Sequence, residues 1–298
     1  MFIKKLHHNF KKRLKIYSIS VGIIISVLIL IAYGIIQKNN DTMALNDFGH
    51  YEKDAYQKPA DITPEAVKEA RPIKLPILMY HYVEYVQDSG DTIRKSLNVT
   101  PDVFKKQLQT LKDAGYTTYF ARDVPKILDG SMKVGDKSII LTFDDGYEDF
   151  HRVVFPILKS YNVKATVFMI YDFIGRKQFL KDKDIRELLD SGLVEIGSHT
   201  LHHMYLKKVS SEVARKQIFE SKQKLEEQFG IHVDTFAYPY GAFKQETIDL
   251  VKEASYSAAF SVIKGQIQSQ GNIFYLSRIR MGSAYGKGML KVLEKLNK

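Results

Sequence analysis

From residue 73 onward the sequence predicts an α/β fold, a parallel sheet whose strands alternate with covering helices. Three observations carry this. Apolar runs of strand length, such as SIILTF (138–143) and KATVFMI (164–170), alternate with amphipathic segments of helical period. The runs are continuously apolar, as strands covered on both faces must be. Cap and stop residues stand at the junctions, Thr100-Pro101 before one helix and Gly115 after it. Periodicity leaves open whether the sheet closes into a barrel.

Taken in order, PILMYHYV (76–83) is the first strand. TPDVFKKQLQTLKDAGY follows as a helix, with Thr100 as cap and Pro101 in the first turn, where a missing N–H costs nothing. Phe104, Leu108 and Leu111 form its apolar face. TTYFA reads as a strand, ARDVPKILDG as a short helix and SIILTF as a strand. A helix over YEDFHRVVFPILKSY, the strand KATVFMI, the helix DKDIRELLDSG and the strand VEIGSH come next. The long helix 210–229, TFAYPYG, the helix 245–255, SAAFSV and IFYLSRIRM complete the alternation, and an amphipathic helix over 286–296 closes the chain. The polar segment 84–99 reads as a surface loop that either overhangs a pocket or moves in solvent.

The chain ahead of residue 73 is different in kind. Residues 1–15 carry six Lys/Arg and no acid, a basic tail expected on the cytoplasmic side. Removing those six leaves 38 basic against 34 acidic residues, so the net charge of +10 belongs mainly to the tail. That argues against a nucleic-acid partner. Residues 16–36 hold no charge in 21 positions, enough to cross a bilayer as a helix, which takes about 20 residues. The apolar stretch exceeds the roughly 7–15 residues of a cleaved signal peptide, so an uncleaved signal anchor is expected. Residues 37–72 read as a polar stem with prolines at 59, 64 and 72, and 73–298 as one extracytoplasmic domain. The chain has no cysteine, which excludes disulfides, thiolate nucleophiles and Cys-ligated zinc. No obligate protein partner is indicated.

Function in open parallel sheets and barrels collects at the carboxyl ends of the strands. The strand SIILTF ends in Asp144-Asp145-Gly146. Asp-Asp-Gly alone is ordinary turn chemistry. The strand VEIGSH, however, ends in His199 with His203 four residues on, and imidazoles so spaced can reach one metal. Asp145, His199 and His203 then make a carboxylate and two imidazoles with open positions, a set suited to Zn²⁺ and also to Co²⁺, Ni²⁺ or Fe²⁺. The second acid, Asp144, is left uncoordinated and free to act as a general base on water. A third strand end, YPYG, offers a Pro239-Tyr240-Gly241 turn able to direct backbone N–H groups into a pocket, although a plain turn accounts for it as well.

Together TFDDG, HTLHH and YPYG, in this order, resemble the motifs of the polysaccharide deacetylases of carbohydrate esterase family 4, the NodB homology domain. The resemblance covers roughly residues 73–283. It implies a distorted (β/α) barrel that hydrolyses N-acetyl groups from GlcNAc units of a cell-envelope glycan, with peptidoglycan, poly-N-acetylglucosamine and a wall polysaccharide or its linkage sugars as the candidate polymers. It also implies Asp144 as base, Asp145, His199 and His203 as metal ligands, and the Tyr240 N–H as an oxyanion donor.

The sequence departs from the pattern twice. No histidine follows His232, so the late-strand histidine that many members use as the acid is missing. The branch resembling poly-N-acetylglucosamine deacetylases has an early strand ending in Tyr-His instead, which points to His81 in PILMYHYV; His151 and His202 are weaker candidates, and His202 is expected to face solvent. The arginine that orients the base two residues before the motif proline is Ala237 here, and Arg278 or Arg280 is the expected substitute. These departures also motivate two rival readings, a glycan-binding pseudoenzyme and an O-acetyl esterase on the same scaffold.

Overall fold

The computed structural model describes residues 72–295 except Ser89. The basic tail, the expected anchor, nearly all of the stem and the last three residues lie outside these. Among the described residues no helix is long and apolar enough to cross a membrane.

The elements run β1 (Ile73–Lys74), β2 (Ile77–Tyr80), β3 (Tyr82–Val83), α1 (Thr92–Leu97), β4 (Asn98–Val99), α2 (Pro101–Asp113), β5 (Thr117–Tyr119), α3 (Val124–Leu128) and β6 (Ser138–Phe143). There follow α4 (Phe155–Tyr161), β7 (Ala165–Met169), α5 (Asp182–Asp190), β8 (Val194–Ser198), α6 (Ser211–Phe229) and β9 (Thr235–Ala237). The last are α7 (Gln245–Glu253), β10 (Ala258–Lys264), β11 (Ile267–Gln268), β12 (Leu276–Arg278) and α8 (Gly286–Lys295). Eight strands form one sheet in the order β12-β10-β9-β8-β7-β6-β2, with β5 also on β6, and every pairing is parallel. Its two ends meet where Ile279 N–H donates to the Ile77 carbonyl at 2.8 Å and Met79 N–H to the Ile279 carbonyl at 2.9 Å. One bridge, Leu78 to Ile279, thus makes a nearly closed barrel.

The continuous apolar runs are explained by two cores. Side chains alternate across a strand, so Leu78, Ile139, Leu141, Val167 and Phe236 pack outward under the helices. Ile77, Ile140, Phe168, Ala237, Phe260 and Leu276 fill the barrel interior, where Ala121, Val124 and Ile127 of the segment around α3 join them. The interior is tight enough to require a glycine at 197, since a Cβ there would lie 2.5 Å from the Phe168 ring.

Several elements follow the sequence closely. The Thr100 hydroxyl caps α2 by accepting from Val103 N–H, and Phe104, Leu108 and Leu111 are its buried face. Others differ. The first strand breaks at His81, because Tyr82–Val83 leaves the barrel to pair with Asn98–Val99, and Val83 N–H donates to the Asp149 carboxylate. The expected loop 84–99 is therefore more ordered than its composition suggests: it contains α1, capped by Asp91, and the Asn98 amide bonds both the N–H and the carbonyl of Glu84. Glu84, Tyr85 and Gln87 line a flank groove with Lys105 and Arg152. The helix expected from Tyr147 begins instead with a π-helical turn, Phe150–Val154, ahead of Pro156, which lacks the N–H a regular ladder needs.

Candidate active site

Parity places the chemistry. Ile140, Thr142 and Asp144 share one face of β6 and its extension, and the same rule aligns Ile77 with His81, Gly197 with His199, and Leu276 with Arg278. Each of β2, β6 and β8 therefore puts one titratable group just past its carboxyl end, on the inward face of the barrel mouth.

Asp144 and Arg278 form the best-defined contact. The Arg278 guanidinium donates from Nη1 to Asp144 Oδ1 at 2.7 Å and from Nη2 to Oδ2 at 2.8 Å. Nε donates to the Ser261 carbonyl at 2.7 Å, and Nη1 also reaches the Thr142 hydroxyl at 3.1 Å. Arg278 is only 1% exposed, so this fork is held rigidly in the barrel. Burial pushes the Asp144 carboxyl up, but the Arg278 charge, helped by His199 and His81, outweighs it and holds the group below the ordinary carboxylate range. Of the two arginines expected to stand in for the one missing at 237, Arg278 is the one on the Asp144 carboxylate.

Asp145 sits beside it in a left-handed conformation, φ 73°, which Asp tolerates better than most residues. It is completely buried, and neither carboxylate oxygen accepts a hydrogen bond. Instead His199 Nε2 and His203 Nε2 converge on Oδ1 at 3.4 and 3.2 Å. Burial raises its carboxyl, but positive charge on the His203 and His199 rings, when they are protonated, holds it well below the ordinary range. His199 Nδ1–H donates to the Ala237 carbonyl at 2.7 Å, which leaves Nε2 with its lone pair toward Asp145. The ligand atoms of these three buried side chains lie within 4.8 Å of one another. A buried carboxylate without hydrogen bonds, faced by ring nitrogens, is costly as it stands and is what a divalent cation would satisfy. The donor set of one carboxylate and two imidazoles fits that ion.

His81 reaches the same centre, with Nε2 3.9 Å from Asp144 Oδ2. Burial dominates its titration and pushes it down to about 4; Asp145 and Asp144 pull upward, while Arg280 and Arg278 pull downward. Tyr240 occupies the expected turn, in a left-handed conformation with φ 58°, its ring 4.5 Å from that of His203. Gly241 is required there, because a Cβ at φ 65° would meet Val262 at 2.3 Å.

The other histidines lie elsewhere. His151 bonds Glu187 at 2.8 Å on the outer surface. His202 is exposed, as expected, and is also tied to Asp172 and Gln217. Sequence reasoning missed the wall beside Asp145: Tyr82 and Tyr147 stack at 3.9 Å, with the Arg94 guanidinium 4.3 Å from the Tyr82 ring centre. The Asp149 carboxyl lies under this wall, and burial raises it to about 6. Its position five residues after Asp144 was the available signal, hidden because a helix start accounts for an acid there.

Comparison with known proteins agrees with this geometry. Residues 131–259 match the family model described as polysaccharide deacetylase. Bacillus subtilis YxkH, whose name assigns it provisionally to the polysaccharide deacetylases, is 31% identical over 235 residues, 77% of this chain and 81% of the relative. The Staphylococcus aureus poly-beta-1,6-N-acetyl-D-glucosamine N-deacetylase is 28% identical over 205 residues, 62% of this chain and 68% of that protein. Among solved structures, Streptococcus pyogenes deacetylase PplD in complex with acetate matches with a TM-score of 0.70 and 31% identity, covering 75% of this chain and all of PplD. The chain belongs to the polysaccharide deacetylase family. It is a hydrolase of the NodB-type fold, in a metal-dependent class whose members cleave amide bonds of polysaccharides.

Proposed function

We infer that this protein removes acetyl groups from N-acetylglucosamine units of an extracytoplasmic envelope glycan, anchored by residues 16–36 with the barrel outside. The observation that carries the catalytic reading is the pair of adjacent acids in unlike surroundings. Asp144 is gripped by Arg278, whereas Asp145 has no hydrogen bond and faces two imidazoles. Asp145, His199 and His203 would hold one divalent cation, zinc by the preference of the donor set. When bound, such an ion supplies Lewis acidity toward water and toward an amide carbonyl.

The chain's own groups do the rest. Asp144 is ionised at neutral pH and takes a proton from the attacking water. Arg278 fixes both of its oxygens, so the carboxylate cannot rotate toward the cation and become a fourth ligand. An amide nitrogen leaves only when protonated, and His81 is the group placed to deliver that proton. Burial keeps His81 neutral at rest, so it first accepts from Asp144 Oδ2, 3.9 Å away, the proton that Asp144 took from water, and then passes it to the amide nitrogen. In this reading the Tyr240 backbone N–H would donate to the oxygen on which charge develops. Arg278 also weakens the pseudoenzyme reading, since it replaces the missing arginine on which that reading partly rests.

The test is acetate release from β-1,6-linked N-acetylglucosamine oligomers, chitooligosaccharides and peptidoglycan fragments offered in parallel. Release is expected from at least one, abolished by chelator, restored by zinc and absent in Asp144→Asn. Turnover of O-acetylated but not N-acetylated sugars, unaffected by His81→Ala, would show an esterase instead.

A further inference from the structure

His202 stands between the two histidines of the metal cluster and takes no part in it. Its surroundings are nevertheless built. Gln217, buried on α6, accepts the His202 backbone N–H on Oε1 at 3.0 Å and donates from Nε2 to the ring Nδ1 at 2.7 Å. One amide thus reads both the backbone and the side chain of the same residue. With Nδ1 accepting, the ring proton lies on Nε2, and Nε2 reaches Asp172 Oδ2 at 2.5 Å. Asp172 belongs to the short turn after β7, whose backbone is also stitched to this segment: Tyr171 N–H donates to the Thr200 carbonyl at 3.1 Å and Asp172 N–H to the Leu201 carbonyl at 3.0 Å. His202 therefore ties the segment following β8 to two neighbouring elements at once.

The tie falls where the backbone most needs one. Thr200 and His203 both adopt positive φ, 71° and 58°. Such conformations cost roughly 1 kcal/mol or more each for non-glycine residues and persist only where the surroundings over-determine them. The His203 N–H bonds the Thr200 hydroxyl at 2.9 Å within the turn itself; the backbone bonds that fix the turn to its neighbours run through residues 200–202. If the turn relaxed, His203 would swing away from Asp145 while His199, held by the Ala237 carbonyl, stayed.

We propose that His202 is a positioning residue: clamped between Gln217 and Asp172, it holds the Thr200–His203 turn so that His203 faces Asp145, and it thereby sets the affinity of the site for a divalent cation. The inference rests on the metal reading of Asp145, His199 and His203. It assigns no proton transfer to His202.

The experiment is zinc competition against a chromophoric chelator, using the full-length protein in detergent, stripped and then titrated with zinc chloride. Wild type is compared with His202→Ala, Asp172→Ala and the conservative His202→Gln, whose amide can still donate to Asp172. The expected result is a zinc Kd raised about 10- to 100-fold in His202→Ala, the range for lost outer supports of metal ligands. A smaller rise is expected in His202→Gln, and kcat at saturating zinc should stay near wild type in all three. The melting temperature of the stripped protein separates this from general destabilisation, which would lower melting without moving Kd. Should His202→Ala not fold, Asp172→Ala, which removes the acceptor outright, carries the same prediction. Zinc binding by the folded variants within about twofold of wild type would overturn the clamp while leaving the metal site standing. A wild-type protein that bound no zinc would overturn both.

Discussion

Glu195 offers a prediction that can be worked through in numbers. It lies near the start of β8, deep in the barrel, where Thr166 Oγ1 donates to Oε2 at 2.6 Å and Arg122 N–H lies 3.2 Å from both carboxylate oxygens. The same Thr166 hydroxyl accepts from Ala121 N–H at 2.9 Å, so the carboxyl anchors the turn that floors the barrel. Burial is the largest influence and raises its pKa from 4.5 to about 7, against the hydrogen bond from Thr166 and the Arg122 charge. Because the folded state holds this proton more tightly than the unfolded chain, its contribution to stability is fully present below about pH 4.5 and is lost as pH rises through about 7. At about 1.4 kcal/mol per pH unit over that interval, the loss comes to about 3 kcal/mol. Glu195→Gln mimics the protonated form, with an amide oxygen for Arg122 N–H and an amide N–H for Thr166. Chemical unfolding of wild type and variant should give equal stabilities near pH 4.5. The difference should widen in favour of the variant to about 3 kcal/mol by about pH 8 and then level off. A difference that does not change with pH would refute the argument.

The remaining predictions concern the site. Arg278→Met leaves Asp144 buried without its counter-charge; the expected outcomes are a loss of about 3–5 kcal/mol in stability and an acid limb of kcat/KM moved to higher pH, read from acetate release across pH. Asp145→Ala should abolish stoichiometric zinc binding in metal analysis, because it removes the carboxylate of the cluster. His81→Ala should depress N-acetyl hydrolysis about 100-fold or more while sparing an activated acetyl ester, whose leaving group needs no proton. Gly241→Val should destabilise the fold by about 2 kcal/mol or more in a melting experiment, since positive φ and the Val262 contact both oppose it.

The order of strands and helices was legible because two-sided burial leaves a plain mark: runs such as SIILTF and KATVFMI are mostly apolar on both faces, broken only by Ser138, Thr142, Lys164 and Thr166. Asp144, Asp145, His199 and His203 could be singled out because each stands at a strand end, where a change of one residue type is visible. Arg278 was narrowed only to a pair, since the strand face turned toward Asp144 depends on barrel closure through Leu78 and Ile279, which come from opposite ends of the domain. The segment 84–99 was misread for a related reason. Its order comes from the Asn98 amide on Glu84 and the ion pair of Arg94 with Glu84, polar contacts that look like loop composition until they are paired. The two partners of His202 were not legible, because Asp172 and Gln217 belong to separate elements on either side of it in the chain.

The seam of the barrel has a consequence for biogenesis. Asp144 follows β6, near the middle of the chain, and the guanidinium that grips it comes from β12, close to the C-terminus. A growing polypeptide therefore carries both acids and both imidazoles long before it carries Arg278 or the residue that stitches the last strand to the first. Asp144 therefore lacks its counter-charge until synthesis is nearly finished, and a chain stopped between residues 203 and 278 carries both acids and both imidazoles without the guanidinium that grips Asp144.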